Sequence, residues 1–197
     1  MVNGKKAALP VLQYPSDQCL LIQTKEQLPT SISQECYLAA YIYEEKAQDM
    51  LLALEDRLKD RLLVPEVWKN ILQRAGILIS SSISGGTLRE RLHEASEALP
   101  GRCWLYLEHL RMRFLLPCPS GTGTEICQDE LNRIIAGKTV FYTPELCFQY
   151  CFEPTGSIIL YDTRDTWIKK IHLAQEAGFC GVIRPYDPHQ TVTAEYP

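Results

Sequence analysis

The stretch Ser157–Arg184, SIILYDTRDTWIKKIHLAQEAGFCGVIR, constrains this chain more than any other. Four apolar residues, Ile158 to Tyr161, end in Asp162-Thr163. Trp167, Ile168, Ile171, Leu173, Ala174 and Ala177 then recur at the spacing that aligns one face of a helix. Gly178 stands where that helix would close, and Gly181-Val182-Ile183 resumes as an apolar strand. A crossover this short predicts two neighbouring parallel strands, hence an α/β fold with its sites at the C-terminal ends of strands.

The same rhythm recurs upstream. The strand GILIS from Gly76 leads through a Ser/Gly loop to a helix over 87–99. CWLYLEH from Cys103, read as one extended stretch to Phe114, leads through PSGTG to a helix over 124–136. TVFYT (139–143) leads to a short helix over 144–152. Strands are also expected over 18–23 and 36–43. Ala47, Met50, Leu51, Leu54, Leu58 and Leu62 predict an amphipathic helix over 44–63, with Glu55 and Lys59 as a surface pair. Pro65 is read as the first turn of a further helix over 65–75. Seven or eight strands in 197 residues predict one α/β domain with a mostly parallel sheet and flanking helices. An incomplete or degenerate (β/α) barrel is expected, with an open doubly wound sheet as the alternative. Residues 1–17 and 185–197 read as irregular arms.

Charge and composition remove several classes. A net charge of −4 gives no reason to expect nucleic acid, whose phosphates demand clustered Lys and Arg. No run approaches the roughly 18 apolar residues of a spanning helix, so no membrane association is expected. The N-terminus makes a poor secretory signal, and the cytoplasm is the expected compartment. Eight cysteines show no Cys-x-x-Cys spacing and read as small core residues. No metal and no cofactor are expected.

Candidate positions follow from strand ends and loops. On CWLYLEHLRMRF one face carries Trp104, Tyr106 and Glu108, the other Leu105, Leu107, His109 and Arg111. In a barrel strand this carries Glu108, His109 and Arg111 towards the site-bearing rim. Asp162 ends an apolar strand, with helix capping as its competing role. The loop CPSGTGTE lacks the first glycine, the lysine and the hydroxyl of a nucleotide-binding P-loop, so nucleotide hydrolysis is rejected. Gly121 and Gly123 there, and Gly85 and Gly86 in SSSISGGT, remain candidates for anion binding by backbone amides, against the plainer reading of loop and cap.

The run YDTRDTWIKKIHLAQEAGFCGVI resembles the last strand–helix–strand unit of chitinase-like glycoside hydrolases and their spore-lytic relatives. The resemblance implies a barrel. The acid/base strand of that family, Asp-x-x-Asp-x-Asp-x-Glu, does not occur here, and Arg184 stands where the family has its closing Trp. Glu108 alone does not supply the pair of carboxyls that most glycosidases use. The functional expectation is therefore a non-catalytic protein of barrel ancestry, binding a small anionic ligand or a protein partner at the strand C-terminal face. Its positions would be Glu108, His109, Arg111, Asp162 and Arg184. Helix 44–63 is a second expected surface, for a partner or another copy of the chain. The alternative is a hydrolase acting on a glycoside or a phosphorylated small molecule.

Overall fold

The computed structural model describes residues 9–185 except 15, 17, 30 and 84. The described residues form two sheets. The first contains seven parallel strands: β1 (Val11–Tyr14), β2 (Cys19–Ile22), β3 (Tyr37–Ala40), β4 (Leu62–Pro65), β5 (Gly76–Ser80), β6 (Cys103–Tyr106) and, from the end of the chain, β12 (Gly181–Pro185). Their order is β1-β12-β6-β5-β4-β3-β2. Only residues 15–18 separate the two edge strands, and the sheet curls into a nearly closed barrel. Helices α1 (Gln48–Leu58), α2 (Leu88–Ala98) and α4 (Arg164–Ala177) cover its outside.

The second sheet is inserted between β6 and α4. It comprises β7 (Arg111–Leu115), β8 (Thr124–Glu125), β9 (Phe141–Thr143), β10 (Phe148–Phe152) and β11 (Ser157–Tyr161), in the order β8-β7-β11-β10-β9, antiparallel throughout. Helix α3 (Gln128–Ile135) covers one face, where Leu131 packs with Ile126, Cys151, Ile159 and Tyr161.

The α/β class and the incomplete barrel thus match the sequence reading, but the segment that suggested them is wired differently. Ser157–Tyr161 pairs with β7 and β10 in the second sheet, and β12 lies between β6 and β1. The expected parallel neighbours sit in separate sheets. The stretch 104–114 breaks after Tyr106, and its two halves join different sheets. Residues 11–14, expected to be irregular, form a strand, because Val182 N–H donates to Pro10 O and the ladder then runs alongside β12. Of the other irregular expectation, 185–197, Pro185 ends β12 and the rest lies outside the described residues.

The helix expected over 44–63 forms as α1 but ends early, and the two expected over 65–75 and 144–152 fail, for identifiable reasons. Lys59 takes a positive φ of 55°, ending the helix, and Leu62-Leu63-Val64 becomes a central strand buried on both faces. A short, uninterrupted apolar run carries no period that separates strand from helix. Beyond it, Pro65 closes β4 and opens a single 3-10 turn over Glu66–Trp68, anchored where Trp68 Nε1 donates to Ile42 O at 2.6 Å. Over 148–152 the aromatic residues alternate with Gln149 and Cys151, a period of two that makes a strand. Glu55 is buried instead of pairing with Lys59; its Oε1 accepts from the amides of Arg74 and Ala75 at 2.7 and 2.8 Å.

Inside the barrel, side chains stack in layers. Trp104 fills the lower end and packs on Tyr37 at 5.0 Å between ring centroids. Leu12, Ala39, Leu63, Leu78 and Ile183 belong to the same cluster above it. Tyr14, Tyr41 and Tyr106 close the top. Cys19, Cys36, Cys103, Cys147 and Cys151 are buried, and all eight thiols are unbridged. Among the described residues no helix is long and apolar enough to cross a membrane.

Candidate functional site

The C-terminal rim of β3 to β6 holds a cleft of about 290 Å³, lined by Tyr41, Tyr43, Glu66, Val67, Leu78, Ser80, Ser82, Ile83, Arg91 and Tyr106. Strand alternation places its floor: Leu78 and Ser80 on β5, and Tyr106 on β6, are the inward positions of their strands. Tyr14 donates its hydroxyl to Tyr106 Oη at 2.9 Å, and Tyr41 packs on Tyr106 at 4.9 Å and on Tyr43 at 5.2 Å. The result is a floor of aromatic rings with hydroxyls among them.

Glu108 stands beside this floor. Its amide donates to Ser81 Oγ at 3.1 Å, and its Oε1 accepts from Ser80 Oγ at 2.8 Å. On the opposite wall Glu66 is held twice, by Lys69 Nζ at 3.0 Å and by Arg91. Burial pushes the Glu66 carboxyl up, but those cationic partners outweigh it and hold it below the usual carboxylate range. Ser82 Oγ, buried in the wall, finds no hydrogen-bond partner among the described residues.

Burial also raises the phenols. Tyr14 is pushed up by burial and by its donated hydrogen bond, Tyr41 by burial, Tyr43 and the Glu108 charge, and Tyr106 by burial against the pull of Tyr14. Two thiols move the same way, Cys19 to about 12 and Cys103 to about 11. In each case the unfolded chain loses its proton first, so stability falls as pH rises past the unfolded values. Those values are about 8.5 for Cys and 10 for Tyr. Urea unfolding should therefore give flat stability from pH 6 to 8 and a progressive loss above about pH 9, approaching 1.4 kcal/mol per pH unit per fully displaced group. A stability still flat at pH 10.5 would refute the assignment.

The five positions nominated from sequence do not meet at one point. Glu108 alone reaches the cleft's edge. Arg111 turns to Gln128 Oε1 at 3.4 Å and lies 3.9 Å from Glu125 in the second sheet. His109 stacks on Trp167 with centroids 4.8 Å apart, and the Arg184 guanidinium lies 5.6 Å over the same ring, on the side of β12 that faces α4. Asp162 accepts from Lys170 Nζ at 2.7 Å and Thr166 Oγ1 at 2.8 Å, in a buried network. Capping falls to Thr163, whose Oγ1 accepts from the Thr166 amide.

The glycine loops resolve as connections. Gly85 and Gly86 lead to Thr87, whose Oγ1 accepts from Glu90 N, while Leu88 N donates to Glu145 O, so two of the first three amides of α2 are already engaged. The Gly121–Gly123 loop does not enter a helix; it enters β8. Gly123 lies beneath the Phe114 ring, where a Cβ would sit 2.8 Å from Cε1. A larger groove of about 510 Å³ runs between α2, α4 and the β9–β10 turn, and none of the nominated residues lines it. Among the described residues no group of three or more His, Cys, Asp or Glu side chains could hold a metal ion.

The sequence reading missed Tyr41, Tyr43, Glu66, Ser80 and Arg91. Glu66 was within reach, because it follows the apolar run 62–64 as Asp162 follows 158–161. Tyr41 and Tyr43 end the apolar run 36–43 with a period of two.

No protein-family model matches the sequence, and no curated protein matches it by sequence. Solved structures do share the fold. The Bacillus cereus spore cortex-lytic enzyme superposes with a TM-score of 0.54 at 10% identity, over 76% of this chain and 44% of its own. A chitinase from Chromobacterium violaceum gives 0.52 at 16% identity, over 70% and 53%. A chitinase-like agglutinin from Robinia pseudoacacia gives 0.50 at 12% identity, over 79% and 64%. The chain spans 44% to 64% of the length of these three proteins. Its fold resembles that of chitinase-like barrels.

Proposed function

We propose that the protein is a carbohydrate-binding barrel that holds a neutral oligosaccharide at the rim cleft without cleaving it. The observation that carries this reading is the tyrosine floor. Tyr41, Tyr43 and Tyr106 offer apolar ring faces beside the hydroxyl of Ser80 and the carboxylate of Glu108. A pyranose ring presents the matching surface, apolar C–H faces edged with hydroxyls, and such sites combine an apolar lining with few fixed polar groups. The charges favour a neutral ligand over an anionic one, because the Arg91 guanidinium is already engaged by Glu66 and Glu108 adds negative charge. Two of the three superposed structures are named as a lytic enzyme and a chitinase, and the third as an agglutinin. Binding without turnover fits better, since Glu66 is fixed between two cations and leaves Glu108 without a second mobile carboxyl.

Hydrolysis is the second reading, favoured by the position of Glu108 just past the end of β6, at the edge of the cleft, where it accepts from Ser80. One experiment separates them. Chito-oligosaccharides titrated into the protein by calorimetry should bind, and Tyr43→Ala, at a half-exposed ring, should weaken binding at least tenfold. Prolonged incubation should leave the oligosaccharide intact. Released shorter sugars, lost in Glu108→Gln, would establish hydrolysis instead; absence of any binding would end both readings.

A further inference from the structure

The groove of about 510 Å³ between α2, α4 and the β9–β10 turn is larger than the rim cleft and shares no lining residue with it. Three ties between elements give it a fixed shape. Leu88 N at the start of α2 donates to Glu145 O at 2.8 Å, Arg89 on α2 meets Glu176 on α4 at 2.5 Å, and Lys169 Nζ on α4 sits 3.9 Å over the Tyr142 ring of β9. The turn is pinned by Cys147 at a φ of 56°, a region where glycine is the residue free of strain. The Cys147 amide donates to Thr143 O at 2.8 Å and its thiol to Pro144 O at 3.4 Å. Strained backbone persists only where its surroundings over-determine it, and it gathers at ligand clamps and active sites. The volume falls in the range of small-molecule sites, and a preformed site spares a ligand the cost of ordering it.

The charges of the groove choose the ligand. Arg89 and Glu176 satisfy each other, which leaves one cation and one anion. Lys169 has no carboxylate at ion-pair distance among the described residues. The Glu145 carboxylate accepts from the Thr143 hydroxyl at 3.1 Å and meets no cation among them. Burial and the Cys147 thiol push the Tyr142 phenol up to about 12, so the ring stays uncharged and cancels neither. Pro144 and Leu173 supply apolar surface in the same lining, and His172 an imidazole. A simple anion in this space would meet Glu145 and a simple cation would meet Lys169, and like charges at close quarters repel. A molecule that carries both signs satisfies both walls.

We propose that this groove binds a zwitterion of the amino-acid class, a free amino acid or a short peptide with an apolar side chain. Its carboxylate lies at Lys169, its ammonium at Glu145 and its side chain against Leu173 and Pro144. The site is separate from the rim cleft and does not rest on the oligosaccharide reading.

Calorimetric titration of the full chain with leucyl-leucine tests this, alongside the N-acetylated peptide, which keeps only the carboxylate, and the peptide amide, which keeps only the ammonium. The free dipeptide should bind, and blocking either end should weaken it about tenfold, the worth of one hydrogen bond to a charged group. Lys169→Gln should erase the preference over the amide, and Glu145→Gln the preference over the acetylated form. Both side chains are exposed, and Glu145 reaches Leu88 through its carbonyl, so the thermal midpoints of the variants should stay close to that of the wild type. Tyr43→Ala, in the rim cleft, should leave the peptide affinity unchanged. Free leucine separates the two sources: binding as tight as the dipeptide's identifies an amino acid, and weaker binding a peptide. No binding of the dipeptide up to about 10 mM, equal affinity for its free and blocked forms, or discrimination that survives both substitutions overturns the inference. Loss of binding in Tyr43→Ala would move the ligand to the rim cleft and equally overturn it.

Discussion

Replacing Lys170 by methionine is expected to lower stability by about 3–5 kcal/mol, the cost of stranding one member of a buried ion pair. The Lys170 and Asp162 side chains are 1% and 2% exposed and 2.7 Å apart. Methionine matches the lysine stem, so packing changes little and the loss reads the charge. Burial pushes the Asp162 carboxyl up, and Lys170 is foremost among the groups opposing that push. Without it the carboxyl climbs further, so the folded state keeps its proton to a higher pH than the unfolded chain does. A carboxyl raised on folding weakens the fold as pH rises through the window between its unfolded and folded values. The deficit of the variant against wild type should accordingly be largest near neutrality and shrink towards pH 4. Asp162→Asn in the Lys170→Met background removes the stranded charge and should recover most of the loss. Urea titrations of the three proteins measure all of this. A single-variant loss below about 1 kcal/mol, or a deficit that grows on acidification, would show that the pair carries no such energy. Because domains hold only about 5–15 kcal/mol in total, the single variant is best assayed at low temperature, where the folded fraction is highest.

The ion pair also marks where the sequence could and could not be read. The helix over 164–177 was visible because its apolar residues keep the helical period and its ends carry a Thr cap and a left-handed Gly178 with φ 83°. Lys170 was not, because it sits within that period as one more lysine of a basic middle, and only the approach of Asp162 from the preceding turn makes it an interior residue. The inserted sheet was hidden for a related reason. Its strands have the length and apolar content of parallel barrel strands, and direction is a property of pairing that no single segment encodes. The alternation in FQYCF and in RMRFL was a legible sign of antiparallel, two-faced strands. As for the cleft, Glu108 was recoverable from strand parity alone. The tyrosine floor depends on three strands far apart in the chain, brought into one layer only by barrel registration.

That registration rests on two glycines, and Gly181→Ala is expected to cost about 3 kcal/mol. On an unstrained strand the same change normally stabilises by about 0.4–1 kcal/mol through the unfolded chain. Here a Cβ at 181 would lie 2.3 Å from Trp104 Cζ3 and 2.7 Å from Cη2. The ring cannot retreat across the barrel, because a Cβ-free Gly76 already accommodates its other edge, where the corresponding distance to Cδ1 is 2.8 Å. Trp104 pairs with Gly181 on one side and Leu78 on the other, so its backbone is held by ladders on both flanks. Overpacking of this kind costs about 1–3 kcal/mol or somewhat more, which exceeds the entropic gain. Gly85→Ala provides the contrast: nothing lies within 4 Å of the added methyl, and a neutral or slightly stabilising result is expected. Trp104→Phe shortens the ring on the Gly181 side, and in that background the alanine at 181 should cost less than about 1 kcal/mol, a coupling that a double-mutant cycle reads directly. Equal costs in the two backgrounds would mean that Trp104 does not occupy the space between these strands, and the layered barrel that places Tyr106 and Glu108 at the rim would lose its base.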